Sequence, residues 1–407
     1  MEILYERCCG IDVHKRIIVA CLRAGRKSQT RTFGTYTDEL RELTGWLKSE
    51  GCLMAAMEST GPYWKPLYNI LEMEGLPAMV VNAAHMKALP GRKTDVADAA
   101  WMADLLQHGL LRASFIPDRK QRELREMTRY RKSRAEERAR EVNRLQKILE
   151  GANIKLASSL SDITGQAANA MLRLVTEDKP ITAASVAACM QRSMKSSAQQ
   201  LQRSLDGVVT ALQRELIGEI LHTIQQQSEQ ITRLDSLIER YMDDAYTQAS
   251  DALDAMPGIA QVSARVILAE IGVDMTRFPS ANHLCSWAGI CPGNNESAGK
   301  RKSGRTTAGN ATLKSTIVQC AVVAVKNKNS YFYAQYQRLV VRRGKNRAIV
   351  AVAHSMMIAI YHVLSGNAFH DLGADYYNSF NTQKKIDSYL SKLKNLGWSP
   401  GATDSSA

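Results

Sequence analysis

The sequence lacks the features that mark a membrane or secreted protein. It has no run of about 18 consecutive apolar residues, the length that a helix needs to cross a bilayer. Its first residues, MEILYERCCGIDV, show neither the charged start nor the apolar middle of a signal peptide. These absences predict a cytoplasmic protein with no membrane role.

Cysteines with the spacing of metal or redox motifs are also missing. The eight cysteines form no CxxC motif, and no histidine stands near them at the spacing of a zinc site. We therefore interpret them as reduced, mostly buried thiols. They are Cys8, Cys9, Cys21, Cys52, Cys189, Cys285, Cys291 and Cys320.

Acidic residues are scarce relative to basic ones. The 407 residues include 53 Lys or Arg and 40 Asp or Glu, so the net charge is +13. No acid occurs between Glu296 and Asp371, whereas this interval holds twelve Lys or Arg. Charge of one sign over such a length indicates contact with nucleic acid rather than an ordinary solvated surface.

Short apolar runs predict an α/β unit over residues 1–117. The runs CCGIDV, RIIVACL, CLMAAM and AMVVNA have the length and composition of strands. Helical stretches at Asp38–Ser49 and Lys65–Glu74 alternate with the later runs. This order predicts a mixed sheet with helices packed on it.

Residues 118–248 are predicted to be helical. Arg119–Lys147 contains twelve Lys or Arg, five acids and neither Gly nor Pro, which predicts a long exposed basic helix. Short helices are expected between about Gly151 and Ser204. Further along, a stripe of apolar residues predicts a coiled coil or helical hairpin, either as a subunit contact or as a buried face within one chain. The stripe is Leu205, Val209, Leu212, Leu216, Ile220, Ile224, Ile231, Leu234, Ile238 and Tyr241.

A third unit is predicted over residues 249–375, followed by an appended helix and a frayed tail over 376–407. It begins with DALDAMPGIAQVSARVILAEIG, which has the pattern of two helices joined by a Pro-Gly turn. Backbone N–H groups near Gly258 could hold a DNA phosphate, as in a helix-hairpin-helix. A purely structural helix pair is the alternative.

Four carboxylates are candidates for a metal site. Asp12 alternates with apolar residues of the first strand, and Glu58 ends the strand CLMAAM. Asp95 and Asp98 are three residues apart at the expected start of a helix, so both lie on one face. Such convergence would require cations, and oxygen ligands select Mg²⁺ or Mn²⁺. The alternative is that Asp95 and Asp98 cap their helix and that Glu58 is a solvated turn residue.

The motifs GIDVHK, MESTGPYW and KTDVADAAWMADL resemble, in order and spacing, the DEDD domain of bridge-RNA-guided insertion-sequence recombinases. The resemblance implies a RuvC-like, RNase H-type fold and a catalytic Mg²⁺ site at Asp12, Glu58, Asp95 and Asp98. It also extends to a second, serine-bearing domain. There an AG-x-x-P stretch leads into a Glu-Ser pair, which implies that Ser297 is the nucleophile; the matching residues are Ala288, Gly289, Pro292, Glu296 and Ser297. The loop after Ser297 is shorter than the family pattern.

A member of this family would be an RNA-guided DNA transposase that forms a 5′-phosphoserine intermediate. Its expected partners are a structured noncoding bridge RNA, donor and target double-stranded DNA, and further copies in a dimer or tetramer in the bacterial cytoplasm, associated with the nucleoid. One alternative is an RNase H-type junction endonuclease that uses metal-activated water; another is a non-enzymatic RNA-binding scaffold. The expected nucleic-acid contacts are Arg119, Lys120, Arg122, Arg129, Arg131, Lys132, Gly258, Lys300, Arg301, Lys302 and Arg305.

Overall fold

The chain forms two compact units, Met1–Pro117 and Asp118–Ala407. A computed structural model describes residues 3–59, 61–82, 95–292, 295–297, 300–303, 306–378, 382–396 and 398. The side chains of residues 95–97, 295–297, 300–303, 378 and 382–385 lie outside this description.

The first unit contains a mixed five-stranded sheet in the order β3-β2-β1-β4-β5. Strand β1 is antiparallel to β2 and parallel to β4, and β4 is parallel to β5. This arrangement confirms the mixed sheet expected from the apolar runs. The strands are β1 Arg7–Val13, β2 Ile18–Ala24, β3 Lys27–Phe33, β4 Met54–Glu58 and β5 Ala78–Val81.

Strand β3 is not one of the four apolar runs, so the sequence did not predict it. Its sequence is KSQTRTF, and every residue before Phe33 is exposed. The strand pairs with β2 along its whole length at the edge of the sheet. A polar strand at an edge needs no apolar pattern, because its backbone hydrogen bonds hold it in place.

Helices cover both faces of the sheet. On one face, α1 Thr37–Ser49 and α2 Trp64–Met73 contribute buried leucines to a core with Ile11 and Met57. On the other face lies α3 Asp95–Gln107, which packs against β1 and β2. Because side chains alternate between the two faces of a strand, one set of apolar residues packs against α1 and α2 and another set packs against α3.

Helix α3 lies unusually close to β1 at Gly10. A Cβ atom added at Gly10 would be 2.3 Å from the carbonyl oxygen of Ala99 and 2.4 Å from the backbone nitrogen of Ala103. No side chain fits between these two backbones, so the glycine sets the spacing of helix and strand.

The second unit begins with two long antiparallel helices, α4 Arg119–Gly151 and α9 Ala211–Tyr241, which pack along each other. Leu124 shares a core with Ile238 at one end of this hairpin, and Leu145 shares another with Ile217 at the other end. As expected, short helices fill the connection: α5 Leu156–Ser159, α6 Gln166–Thr176, α7 Ala183–Cys189 and α8 Ala198–Leu205.

Two sequence-based expectations about this hairpin are wrong in detail. Helix α4 is only partly exposed, because it buries residues against α9 and the C-terminal core. In α9 the buried positions are Ile217, Ile224 and Ile238, whereas Leu212 and Leu216 are exposed. A small shift of the buried face around the helix produces this difference, and the buried positions pack within the chain.

Directional polar bonds join the middle of the hairpin. The guanidinium of Arg131 donates to both carboxylate oxygens of Asp235, at 2.8 and 3.0 Å. About two turns further along α4, Arg138 donates to the hydroxyl of Ser228 at 2.7 Å. The two apolar cores are thus separated by a polar stretch.

The C-terminal core is built mainly from helices. As predicted, α10 Asp244–Asp254 and α11 Gln261–Ile271 are joined by a short turn. The elements that follow are α12 Ala281–Trp287, β6 Asn295–Ser297, β7 Lys300–Ser303, α13 Ala311–Ala324, α14 Tyr331–Arg343, α15 Lys345–Leu364 and α16 Thr382–Asn395.

Helix α15 corrects the expectation that no segment could span a membrane. It is long and apolar enough by length and composition. In the structure, however, residues such as Val352, Met356 and Ile360 are buried in the C-terminal core. The apolar side of this helix therefore packs in the C-terminal core.

We expect Gly10→Ala to lower the free energy of unfolding by about 1–3 kcal/mol, because the added methyl group must push α3 away from β1. The matched control is Gly45→Ala in α1, where an added Cβ meets nothing within 4 Å. That change should raise stability by about 1 kcal/mol, since alanine is the better helix former. Thermal unfolding of the full chain measures both, and equal stability of the two variants would contradict the close docking.

Candidate metal centre and nucleic-acid interface

Two of the residues with predicted carboxylate ligands occupy adjacent backbone positions at one end of the sheet. Strands β1 and β4 are parallel, and Ile11 pairs with Met57, so the next residues, Asp12 and Glu58, are neighbours. Both are placed where the parallel strands end, and carboxyl ends of such strands are common sites of ligand binding. The register therefore supports the proximity that the sequence predicts for this pair.

Asp12 and Glu58 also lie on the same face of the sheet. Cys8 and Ala56 belong to the core cluster on the α3 side. Asp12 is four residues after Cys8 and Glu58 two residues after Ala56, so alternation places both acids on that same side. The side chain of Asp12 is 16% exposed, which leaves it accessible at the rim of the core.

Helix α3 brings Asp98 to the same region. Ala99 contacts the backbone at Gly10 and clusters with Val19, the cross-strand partner of Asp12. Asp98, the preceding residue, is half-buried. Asp95 lies on α3, but its side chain is outside the described residues.

Sequence reasoning missed one neighbour of this site, His14. Its Nε2 lies 3.0 Å from Oδ2 of Asp12, and its side chain is 46% exposed. Asp12 and Glu58 make further interactions besides. The available signal was position: His14 is two residues after Asp12 in GIDVHK, and residues two apart in an extended segment lie on one side.

The described side chains do not form the predicted carboxylate cluster, and the side chain of Asp95 is not among them. Among the described side chains, no group of three or more His, Cys, Asp or Glu is close enough to hold a metal ion. The residues present nevertheless fit a hard divalent cation, since Asp12, Glu58 and Asp98 offer only carboxylate oxygens. Burial raises the pKa of both Cys8 and Cys285 to about 12, which disfavours the thiolate form of these two residues.

Many cations of α4 hold the fold together. Arg129 donates to both oxygens of Glu270, at 2.7 and 2.9 Å, while Lys132 donates to the hydroxyl of Ser315 at 2.6 Å. Arg131 binds Asp235, and it is only 18% exposed, whereas Arg119 is 66% exposed. The predicted contacts on this helix therefore divide into structural and accessible cations; the remaining pairs are Arg119–Glu123 and Lys120–Asp243, and Arg122 also interacts.

The expected serine loop is a short β-hairpin. Ser297 pairs with Lys300 and Glu296 with Arg301, so β6 and β7 form a two-stranded antiparallel sheet. The side chains of Ser297, Lys300, Arg301 and Lys302 lie outside the described residues, as does all of Arg305. Their predicted roles stay predictions.

Gly258 has a structural reason to be glycine. Its φ is +85°, and an added Cβ would lie 2.5 Å from the carbonyl oxygen of Cys320 on α13. This packing matches the purely structural interpretation of the α10–α11 turn, and phosphate contact by Gly258 stays a prediction.

Comparison with known proteins gives two family matches. A family described as transposases matches residues 9–154, and one described as the transposase IS116/IS110/IS902 family matches residues 250–337. The first range contains Asp12, Glu58, Asp95 and Asp98, and the second contains Ser297.

Two curated proteins are similar over most of their length. The pilin gene-inverting protein of Moraxella bovis is 24% identical over 376 residues, which cover 88% of this chain and 95% of that protein. The transposase for insertion sequence element IS1111A of Coxiella burnetii is 20% identical over 371 residues, which cover 90% of this chain and 88% of that protein.

We expect Mn²⁺ to raise the thermal unfolding temperature of the protein, and this stabilisation to be lost in Asp12→Ala, Glu58→Ala, Asp95→Ala and Asp98→Ala. Without metal these variants should be as stable as the parent protein or more so, because each removes like-charge repulsion. Glu42→Ala, at an exposed position of α1, is the control. A full Mn²⁺ response in Asp12→Ala or Asp98→Ala would refute the metal site.

Proposed function

We propose that the chain is a transposase that recombines DNA by transposition, because residues 9–154 match a family described as transposases and residues 250–337 match the transposase IS116/IS110/IS902 family. We further propose how it cuts and rejoins strands. The proposal has three parts: a divalent-metal site in the first unit, a serine nucleophile in the second and a structured RNA that selects the DNA. The observation that carries it is the adjacency of Asp12 and Glu58 on parallel strands, with α3 docked at Gly10.

Asp12, Glu58, Asp95 and Asp98 would hold Mg²⁺, or Mn²⁺ in its place. The bound ion would supply positive charge to the phosphate oxygens while the strand is cut. The chain's own part is to present these carboxylates from a rigid sheet and a closely packed helix, because a ligand set on rigid elements keeps its geometry.

The hydroxyl of Ser297 would attack the scissile phosphorus. A bond forms between the serine oxygen and phosphorus, the bond from phosphorus to the 3′ oxygen breaks, and the serine proton leaves to a base while the 3′ oxygen gains one. The result is a 5′-phosphoserine and a free 3′ hydroxyl. Reversal with a different 3′ hydroxyl joins new strands without an external energy source.

Sequence choice would be made by base pairing with a bridge RNA, and the protein would contact backbones through charge. The acid-free interval before Asp371 and the accessible cations of α4 support this division of labour. The name of the pilin gene-inverting protein describes DNA inversion, which also fits conservative strand exchange. A dimer or tetramer would combine the two sites from different copies.

We expect the affinity for structured RNA to fall steeply with salt, because binding releases counterions from phosphates. Replacing cations in Arg119–Lys147 and Lys300–Arg347 with glutamine should flatten the dependence. The measurement is a binding titration with a structured RNA from the element's noncoding flank at several salt concentrations. Affinity that barely changes with salt would exclude electrostatic contact.

Ser297→Ala should abolish recombination of a plasmid that carries the complete element with its flanks. A serine that only binds phosphate contributes one neutral hydrogen bond, worth about 0.5–1.5 kcal/mol or roughly a two- to tenfold change in rate. Ser303→Ala, in the same hairpin, is the matched control and should recombine normally.

A nicked DNA substrate that cannot religate should trap the intermediate. The wild-type protein should then remain attached to a 5′ end on a denaturing gel, with the phosphate mapped to Ser297. Free 5′ phosphates alone, or a Ser297→Ala variant that keeps a tenth of the activity, would favour hydrolysis by metal-activated water.

A further inference from the structure

A fully buried carboxylate in the C-terminal core is bonded to two arginines. Glu270 lies near the end of α11, and its side chain is 0% exposed. Arg129 binds it with two parallel bonds, and Nε of Arg125 lies 3.2 Å from its Oε2. Because burying a lone charge is costly, this ion cluster joins α4 firmly to α11.

The cluster carries more positive than negative charge. One carboxylate faces two guanidinium groups, so one positive charge is left over. Arg125 is 17% exposed and also donates to the carbonyl oxygens of Ala269 and Glu270. Arg129 is 47% exposed, and its bonds to Glu270 use only Nε and Nη2. The remaining positive charge is therefore exposed to solvent on the side of the Arg129 guanidinium that faces away from Glu270. We call this side its outer edge.

Asn310 shows that the Arg129–Glu270 pair lies near the start of α13. Its Nδ2 donates to Oε2 of Glu270 at 2.6 Å, the same oxygen that accepts from Nη2 of Arg129 at 2.9 Å. Its Oδ1 caps α13 by accepting from the backbone N–H of Leu313. Two donors that share one acceptor atom lie within a few ångströms of each other.

The base of the β6–β7 hairpin lies next to Asn310. Pro292 and Thr306 form an isolated β-bridge that closes the base, and Lys314 donates to the hydroxyl of Thr306 at 2.6 Å. Gly309 packs so closely that an added Cβ would lie 2.4 Å from the backbone nitrogen of Gly289. The chain is therefore tightly fixed where the hairpin begins and ends.

We propose that Glu270 is a positioning residue that holds Arg129 so that its outer edge binds a phosphate of the DNA at the base of the hairpin carrying Ser297. This inference rests on the proposed function. A guanidinium binds phosphate through paired N–H groups, and one that is already oriented loses less conformational freedom on binding. Glu270 supplies that orientation without neutralising the whole cluster.

The first experiment compares Arg129→Gln with Arg140→Gln. Both remove one charge from α4, but Arg140 is 58% exposed and its nearest acid, Glu137, lies 4.0 Å away. With a DNA duplex of random sequence as the probe, Arg129→Gln should lower the slope of log affinity against log salt by about 0.9. Arg140→Gln should leave the slope unchanged. A wild-type slope in Arg129→Gln would show that Arg129 is only a structural partner and would overturn the proposal.

The second experiment tests orientation separately from charge. Arg129→Lys keeps the charge but cannot bind Glu270 with two parallel bonds, and Asn310→Ser keeps a helix cap but deletes the bond to Glu270. Both should retain the wild-type salt slope, yet recombination of the element-bearing plasmid should fall roughly tenfold or more. Full recombination in both variants would overturn the positioning role. If the Arg129–Glu270 pair is needed for folding, Asn310→Ser still tests the positioning role, because it leaves that pair intact.

Ser297→Ala separates this proposal from the proposed chemistry. It should bind the duplex with the wild-type slope, because it removes no charge. If Ser297→Ala still recombines, the serine mechanism fails, while the difference between Arg129→Gln and Arg140→Gln still decides the phosphate contact.

Discussion

The candidate metal centre depends on one close approach between backbones, that of α3 to β1 at Gly10. The strands place Asp12 and Glu58 at adjacent positions, and the helix that carries Asp98 lies directly on β1 because Gly10 has no side chain. Any side chain at Gly10 would hold the helix away, and a metal site tolerates little displacement of its ligands. The small residues Ala99 and Ala103 on the facing side of α3 continue the same contact. In this unit, one glycine and two alanines therefore set the position of the helix that carries Asp98.

Charge in the second unit serves two purposes that composition cannot separate. A count of Lys and Arg in α4 predicts an anionic partner, but Arg125 and Arg131 are largely committed to carboxylates of the same chain. A nucleic-acid partner can contact only those guanidinium N–H groups that these bonds leave exposed, such as the outer edge of Arg129. Net charge thus measures attraction at a distance, whereas specific contact depends on which guanidinium edges stay free.

The sequence predicted the sheet, the long basic helix, the short helices and the α10–α11 pair, because each has a periodic or punctuated pattern. It did not predict β3, whose polar residues carry no such pattern, and it placed Leu212 and Leu216 on the buried face of α9 although they are exposed. Asp12, Glu58 and Asp98 could be proposed from motifs, and His14 could have been found from its position two residues after Asp12, whereas Glu270 depends on contacts with residues more than 100 positions away. The lone acid in the apolar string RVILAEIG was the one local sign of a buried ion pair.

The polar middle of the α4–α9 hairpin limits how its length can change in evolution. Apolar side chains tolerate sliding, but the bonds of Arg131 to Asp235 and of Arg138 to Ser228 have defined donors and acceptors. An insertion or deletion in one helix between these residues would break at least one of these bonds and leave a partly buried polar group without its partner. Related chains should therefore lengthen or shorten this stem in both helices together, by matching numbers of residues.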